Sequence, residues 1–192
     1  MDKIEVLVKE ILAIIGENPD RVGLKDTPRR VAKMYKELFR GYTEDKPKIT
    51  TFPNGTDGVV YDQMVIDEGD FYSHCEHHMV PFFGKYYFAY IPNPKGNIIG
   101  LSKVARVVDF YSAKLQIQER LVQDIVNTLW DALSNDEFKP LGMALVMKAE
   151  HLCKTMRGVK KKGTMTSSEL RGVFKDKVEV RQEFLKLVNL GK

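Results

Sequence analysis

Two short stretches hold the cysteines and histidines of this chain. Ser73-His74-Cys75-Glu76-His77-His78 supplies one cysteine and three histidines, and Glu150-His151-Leu152-Cys153 supplies the remaining cysteine and histidine. Cys75 and His78 stand in C-x-x-H spacing, which lets a thiolate and an imidazole from one tight turn face a single cation. Cys153, arriving from a distant segment, is a third candidate ligand. Three protein ligands leave a coordination position open, the mark of a catalytic rather than a structural zinc. A closed structural site would need a fourth ligand, for which His74, His77 and His151 remain. His74 reads as a bystander. His77 adjoins His78, and His151 shares a strand face with Cys153 if that strand continues to residue 153. Two histidines beside a metal-activated water suit proton transfer near neutral pH. A disulfide between the two cysteines is the weaker reading, because each has a histidine within three residues and a cytosolic thiol stays reduced.

The elements that must position these residues follow from periodicity. Residues 3–15 carry apolar side chains at helical spacing, and Gly16, Asn18 and Pro19 end that helix. Asp26-Thr27-Pro28 predicts a cap and a first-turn proline for a second helix, running to about Phe39 and stopped by Gly41. These two helices predict a small N-terminal lobe over 1–45. A connector rich in Pro, Gly, Asn and Thr follows, and 58–192 is expected to be the main domain. There, Tyr61–Asp67, Gly84–Ile91, Asn97–Leu101 and Leu141–Lys148 read as strands. The Cys-Glu-His-His tetrad falls in a loop or at a strand end. Ser102 is expected to cap a helix through Tyr111, and further helices are expected over Gln118–Leu133 and from about Val178. Gly163–Leu170 reads as a threonine-rich loop.

Composition limits the classes of function. Apolar residues are 43% and charged residues 29% of the 192, which fits a globular chain with a real core. No apolar run is long enough for a bilayer, and the charged start Met1-Asp2-Lys3-Ile4-Glu5 lacks the apolar centre of a secretion signal, so a cytoplasmic protein with no membrane partner is expected. A net charge of +4 is too mild to imply nucleic acid. Lys154, Arg157, Lys160, Lys161 and Lys162 form an acid-free tract, either a solvated loop or a seat for a small polyanion.

At these residues the chain resembles the GTP cyclohydrolase I family. The resemblance is carried by Ser73-His74-Cys75-Glu76-His77-His78-Met79-Val80-Pro81, Gly100-Leu101-Ser102-Lys103-Val104-Ala105-Arg106, Gln116-Ile117-Gln118-Glu119-Arg120-Leu121 and Glu150-His151-Leu152-Cys153-Lys154-Thr155-Met156-Arg157-Gly158. Asp26–Met34 and Arg171–Phe174 add to it, so that nearly the whole chain is covered in order. The resemblance implies an α+β tunnelling fold, an antiparallel sheet with flanking helices assembled around a barrel into a homodecamer of two pentamers. It implies conversion of GTP and water to formate and 7,8-dihydroneopterin triphosphate, the first step towards folate or tetrahydropterins, in active sites between subunits and open to allosteric control. By the same resemblance Cys75, His78 and Cys153 hold Zn2+, and His77 and His151 move protons. Glu119 and Gln118 meet the guanine edge, where a carboxylate suits two N–H donors. Ser102 meets the ribose, and Lys103, Arg106, Arg157, Arg30 and Lys33 meet the triphosphate, for which Arg forks and Lys point charges are suited. Two alternatives stay beside this reading: a zinc-stabilised nucleotide-binding module without turnover, and another pterin- or deazapurine-pathway enzyme of the same fold.

Overall fold

The computed structural model describes residues 2–190; Met1, Gly191 and Lys192, which the expected segments 1–45 and 58–192 include, lie outside the described residues. Helix α1 (Lys3–Ile14) is capped by Asp2, whose carboxylate accepts from the Ile4 N–H at 3.1 Å. Gly16, in the left-handed region at φ 90°, follows its end. Helix α2 (Thr27–Leu38) has Pro28 in its first turn, as expected, but Asp26 does not cap it. The Asp26 backbone is already helical (φ −96°, ψ −6°), so its carboxylate is not held over the free N–H groups. It lies instead 3.9 and 3.8 Å from Arg29 and Arg30. An ion pair from Lys36 to Asp2 at 2.5 Å ties α2 to α1. A 3-10 turn, Arg40–Tyr42, then meets the rest of the chain: Gly41 N–H donates to Ala113 O at 3.1 Å, and Tyr42 Oη accepts from Leu115 N–H at 3.1 Å.

The main sheet has the order β5-β2-β3-β6-β7, built from β2 (Val65–Cys75), β3 (Pro81–Ile91), β5 (Leu115–Gln116), β6 (Gly142–His151) and β7 (Thr164–Gly172). All neighbours are antiparallel except β5, which runs parallel to β2 beside His74 and Cys75 only. A second ribbon pairs β1 (Thr51–Pro53) with β4 (Asn97–Ile99). Most of β2 therefore forms one open edge of the main sheet and β7 the other.

Both faces of the sheet are covered, which explains why β6 is almost wholly apolar from Gly142 to Met147. Met143, Leu145 and Met147 point to one face with Phe71, Phe82, Phe88 and Tyr90. There they meet α3 (Ser102–Ser112) and α4 (Gln118–Leu133), whose Leu121, Ile125 and Leu129 recur at helical spacing and are fully buried. Burying each such side chain contributes about 1.5–3 kcal/mol. Ala144 and Val146 point to the other face, against Phe174 of the short α6 (Val173–Asp176) and Phe184 of α7 (Val178–Leu187).

Beyond Asp26, further sequence expectations differ from this structure. The strand foreseen at Tyr61–Asp67 begins at Val65 and continues through Asp67-Glu68-Gly69-Asp70 to Cys75. Gly163–Leu170 is not a loop, since Thr164–Gly172 forms β7 on the outer side of β6. Ser102 is not a cap; Leu101 before it is helical (φ −52°, ψ −40°), which places Ser102 inside the first turn of α3. Another difference concerns the strand that leads to Cys153 and bears on the site.

Candidate active site

Cys75 is the last residue of β2, and the chain reverses immediately after it. Cys75 O accepts from the N–H of Met79 at 2.8 Å, and Cys75 N–H donates to Val80 O at 2.9 Å. The reversal forces Met79 into the left-handed region at φ 56°, an uncommon conformation for a side-chain-bearing residue. His77 and His78 are thereby placed by backbone geometry, both facing back to the cysteine. His77 Nδ1 lies 3.6 Å and His78 Nδ1 4.0 Å from Cys75 Sγ.

The other half of the site comes from β6. Strand β6 ends at His151, and Leu152 opens a single helical turn, α5 (Leu152–Thr155), that carries Cys153. The alternation expected to put His151 and Cys153 on one strand face therefore does not apply. The helical turn brings Cys153 back to β2, until the ligand atoms of Cys75, His78 and Cys153 all lie within 4.8 Å of one another. Two thiols and one imidazole at this separation fit a borderline-soft cation that prefers sulfur and nitrogen. Burial raises the Cys153 thiol pKa, and a hydrogen bond with Cys75 raises it further, so a cation that compensates the thiolates matches the site.

His151 sits beside this triad. Its ring stacks on Phe82, its pairing partner on β3, with centroids 4.6 Å apart and planes 1° from parallel. Its Nε2 lies 2.7 Å from Gln118 Oε1. Burial pushes its pKa below the usual imidazole range, Glu119 acts in the opposite direction, and Lys154 adds to the fall. Burial thus favours the neutral form of the ring. His74 is elsewhere: buried, edge-on to Phe39 with centroids 5.2 Å apart, it joins the N-terminal segment to the sheet.

Sequence reasoning gave no role to Arg120 and Glu76. In the first turns of α4, Arg120 donates to Glu76 Oε2 at 2.5 Å, to Gln116 Oε1 at 2.9 Å and to Leu115 O at 3.1 Å. Glu76 N–H in turn donates to Gln116 O at 3.1 Å. Arg120 is thus a clamp across β5 that holds the turn bearing His77 and His78. Its position two residues after Gln118 was visible, but nothing local shows that it reaches a residue 44 positions away. Arg120→Met is expected to weaken metal affinity by about 10–100-fold, the range for outer groups that orient ligands. Competition with a chromophoric chelator measures this, and an unchanged affinity would show that the backbone alone sets the turn.

The proposed anion-binding side chains divide into two groups. Arg157 reaches the site, with Nη1 2.8 Å from His78 Nε2. Glu119 is exposed at the start of α4, beside Gln118. Ser102, Lys103 and Arg106 line the first turns of α3, and Arg30 and Lys33 lie exposed on α2. Among the described residues, no hydrogen bond or ion pair joins these five to the Cys75–His78–Cys153 triad.

Comparison with known proteins gives these groups their context. The family model described as GTP cyclohydrolase I matches residues 4–189. The GTP cyclohydrolase 1 of Caldanaerobacter subterraneus subsp. tengcongensis is 47% identical over 190 residues, covering 98% of this chain and 96% of its own. That of Streptococcus agalactiae is 46% identical over 193 residues, covering 99% and 98%. Among solved structures, the archaeosine synthase QueF-Like in its apo form covers 55% of this chain and 92% of its own at a TM-score of 0.42 and 14% identity, too slight a likeness to bear on fold or function. With a match that runs from the first helix to the last and includes both halves of the thiol–imidazole triad, the chain belongs to the GTP cyclohydrolase I family.

Proposed function

We propose that this chain converts GTP and water to 7,8-dihydroneopterin triphosphate and formate. The observation that carries the reading is the convergence of Cys75 and His78, from the end of β2, with Cys153, from the turn after β6, in a chain of this family. Zinc is the cation that two thiolates and an imidazole favour, and when bound it would supply Lewis-acid activation of water for attack at the guanine C8.

The chain's own residues account for the rest. His151, half-buried beside the triad, accepts a proton as the imidazole ring of guanine opens; His77, largely exposed beside Cys75, exchanges protons with solvent as formate leaves. Glu119, exposed where α4 begins, accepts from the N1–H and 2-amino groups of guanine, an edge that adenine does not present. Arg157 approaches from the end of α5, and Lys103, Arg106, Arg30 and Lys33 carry the charge that neutralises a triphosphate, with Ser102 towards the ribose. That the last five stand apart from the triad within one chain supports a site completed by a second subunit. A homodecamer of two pentamers, with 1–45 as a helical lobe and 58–192 as the catalytic domain, is the assembly we infer. No helix of the described residues is long and apolar enough to cross a membrane, and a cytoplasmic location accords with the reduced thiols the site requires.

The test is direct. Zinc-loaded, assembled protein incubated with GTP is expected to release formate and, after oxidation, a fluorescent neopterin in equal amounts. Binding of GTP with neither product would identify a nucleotide-binding module instead, and a different product would identify another enzyme of the fold.

A further inference from the structure

Gln118 opens α4 with 1% of its surface exposed. Its Nε2 lies 2.8 Å from Met147 O on β6 and 3.3 Å from Met165 O on β7, so its amide hydrogens face two backbone carbonyls. Turned the other way, the amide would set its own oxygen against both carbonyl oxygens, an acceptor facing two acceptors; the neighbours therefore dictate its orientation. Only Oε1 is left, and it faces His151 Nε2 at 2.7 Å. An amide oxygen can only accept, so this ring nitrogen carries the hydrogen. In a neutral imidazole the lone pair then belongs to Nδ1. Phe82, stacked 4.6 Å from the imidazole, fixes the plane of the ring. A half-turn within that plane's constraint would replace Nε2–H by Cε1–H against Oε1 and lose the hydrogen bond.

We propose that Gln118 is a positioning residue that locks His151 as its Nε2–H tautomer and leaves the lone pair of the ring on Nδ1. This deepens, and rests on, the reading of His151 as a proton carrier. It also moves Gln118 from the guanine edge, where the resemblance put it, to a place behind the histidine, since the amide has no donor left for a substrate. The anchors are main-chain atoms of two adjacent strands, so the tautomer is keyed to the pairing of β6 with β7 rather than to a mobile side chain.

Magic-angle-spinning NMR of metal-loaded protein labelled with 15N-histidine tests this in the assembled state, with His151 assigned by the signals that His151→Asn removes. A protonated Nε2 and an unprotonated Nδ1 are expected; the reverse pattern, or a mixture, would overturn the proposal. Gln118→Met, of similar length but without an acceptor, is expected to show both tautomers. Its kcat should fall about 30-fold or more, between the loss of an outer hydrogen bond and the cost of a wrong tautomer. KM should stay within about twofold, and Gln118→Glu, which restores an acceptor oxygen, should recover most of kcat. A raised KM with unchanged kcat would make Gln118 a substrate ligand and sink the idea. If Gln118→Met does not fold, the wild-type spectrum decides alone. If the wild type turns over no GTP, the functional reading fails while the tautomer is still read.

Discussion

Cys153→Ser is expected to empty the metal centre and abolish turnover together, whereas His151→Ala keeps the metal and loses only turnover. The two residues are separated by one position, yet their surroundings differ. Cys153 stands on α5 with its sulfur in the triad, and His151 ends β6 with its ring held between Phe82 and Gln118. A serine hydroxyl does not ionise at neutral pH and is a poor substitute for a soft thiolate. Zinc bound by folded thiolate sites is held by roughly 10–16 kcal/mol, so the loss of one of three protein ligands should cost at least about 100-fold in affinity. Removing a general acid–base histidine lowers kcat by about 100–10,000-fold without touching the ligands. Metal content after gel filtration, measured beside formate release, separates the outcomes. An empty site in His151→Ala would mean that His151, not His78, completes the ligand set.

The second large effect is on stability. Gly84 sits within β3, opposite Phe71 of β2 and Ala149 of β6. A Cβ on it would lie 2.0 Å from Lys148 O, 2.8 Å from Ala149 Cα and 2.9 Å from Lys148 C, all of them main-chain atoms. No rotamer change relieves such an overlap, so β3 and β6 must part. Gly84→Ala is expected to destabilise the fold by more than about 3 kcal/mol, beyond the usual range for overpacking. Gly100→Ala is the control: the nearest atom to its added Cβ is Lys103 Cγ at 3.9 Å, and its melting temperature should be nearly that of the wild type. Because the Phe82–His151 pair lies only two residues along the same ladder, any folded Gly84→Ala protein should also show a disturbed histidine. Equal melting temperatures for the two variants would contradict the strand geometry described above.

Helices were the most legible part of the sequence. The apolar spacing of Leu121, Ile125 and Leu129 is a property of α4 alone, and the two N-terminal helices and α7 are equally local signals. Strands were most legible where both faces are apolar, as in β6. The charged run Asp67-Glu68-Gly69-Asp70 hid the middle of β2, an open edge where polar residues are tolerated, and the Thr and Ser of β7 read as loop because pairing with β6, not burial, makes it a strand. The site divides in the same way. Residue types and short spacing brought Cys75 and His78 into view, and Cys153 with them. The meeting of Cys153 with Cys75, the clamp from Arg120 to Glu76 and the link from Gln118 to His151 are contacts across 30 or more positions, and no local pattern encodes them.

The two open edges of the main sheet carry a consequence for symmetry. Strand β7 ends the five-stranded sheet on one side, and on the other most of β2 lies open, because β5 covers it only at His74 and Cys75. Copies joined with the β2 edge of one on the β7 edge of the next would pair unlike surfaces, and an arrangement of that kind is head-to-tail: each copy offers one edge and receives the other. It has no twofold axis at the joint and cannot stop at a dimer with both edges satisfied. It either closes by rotation or grows without limit, and the angle accumulated across each copy, set by sheet twist, selects between ring and filament. The polar residues of β2 and the Thr–Ser surface of β7 then act as a filter on partners, because an edge shaped for one unlike strand is a poor template for any other.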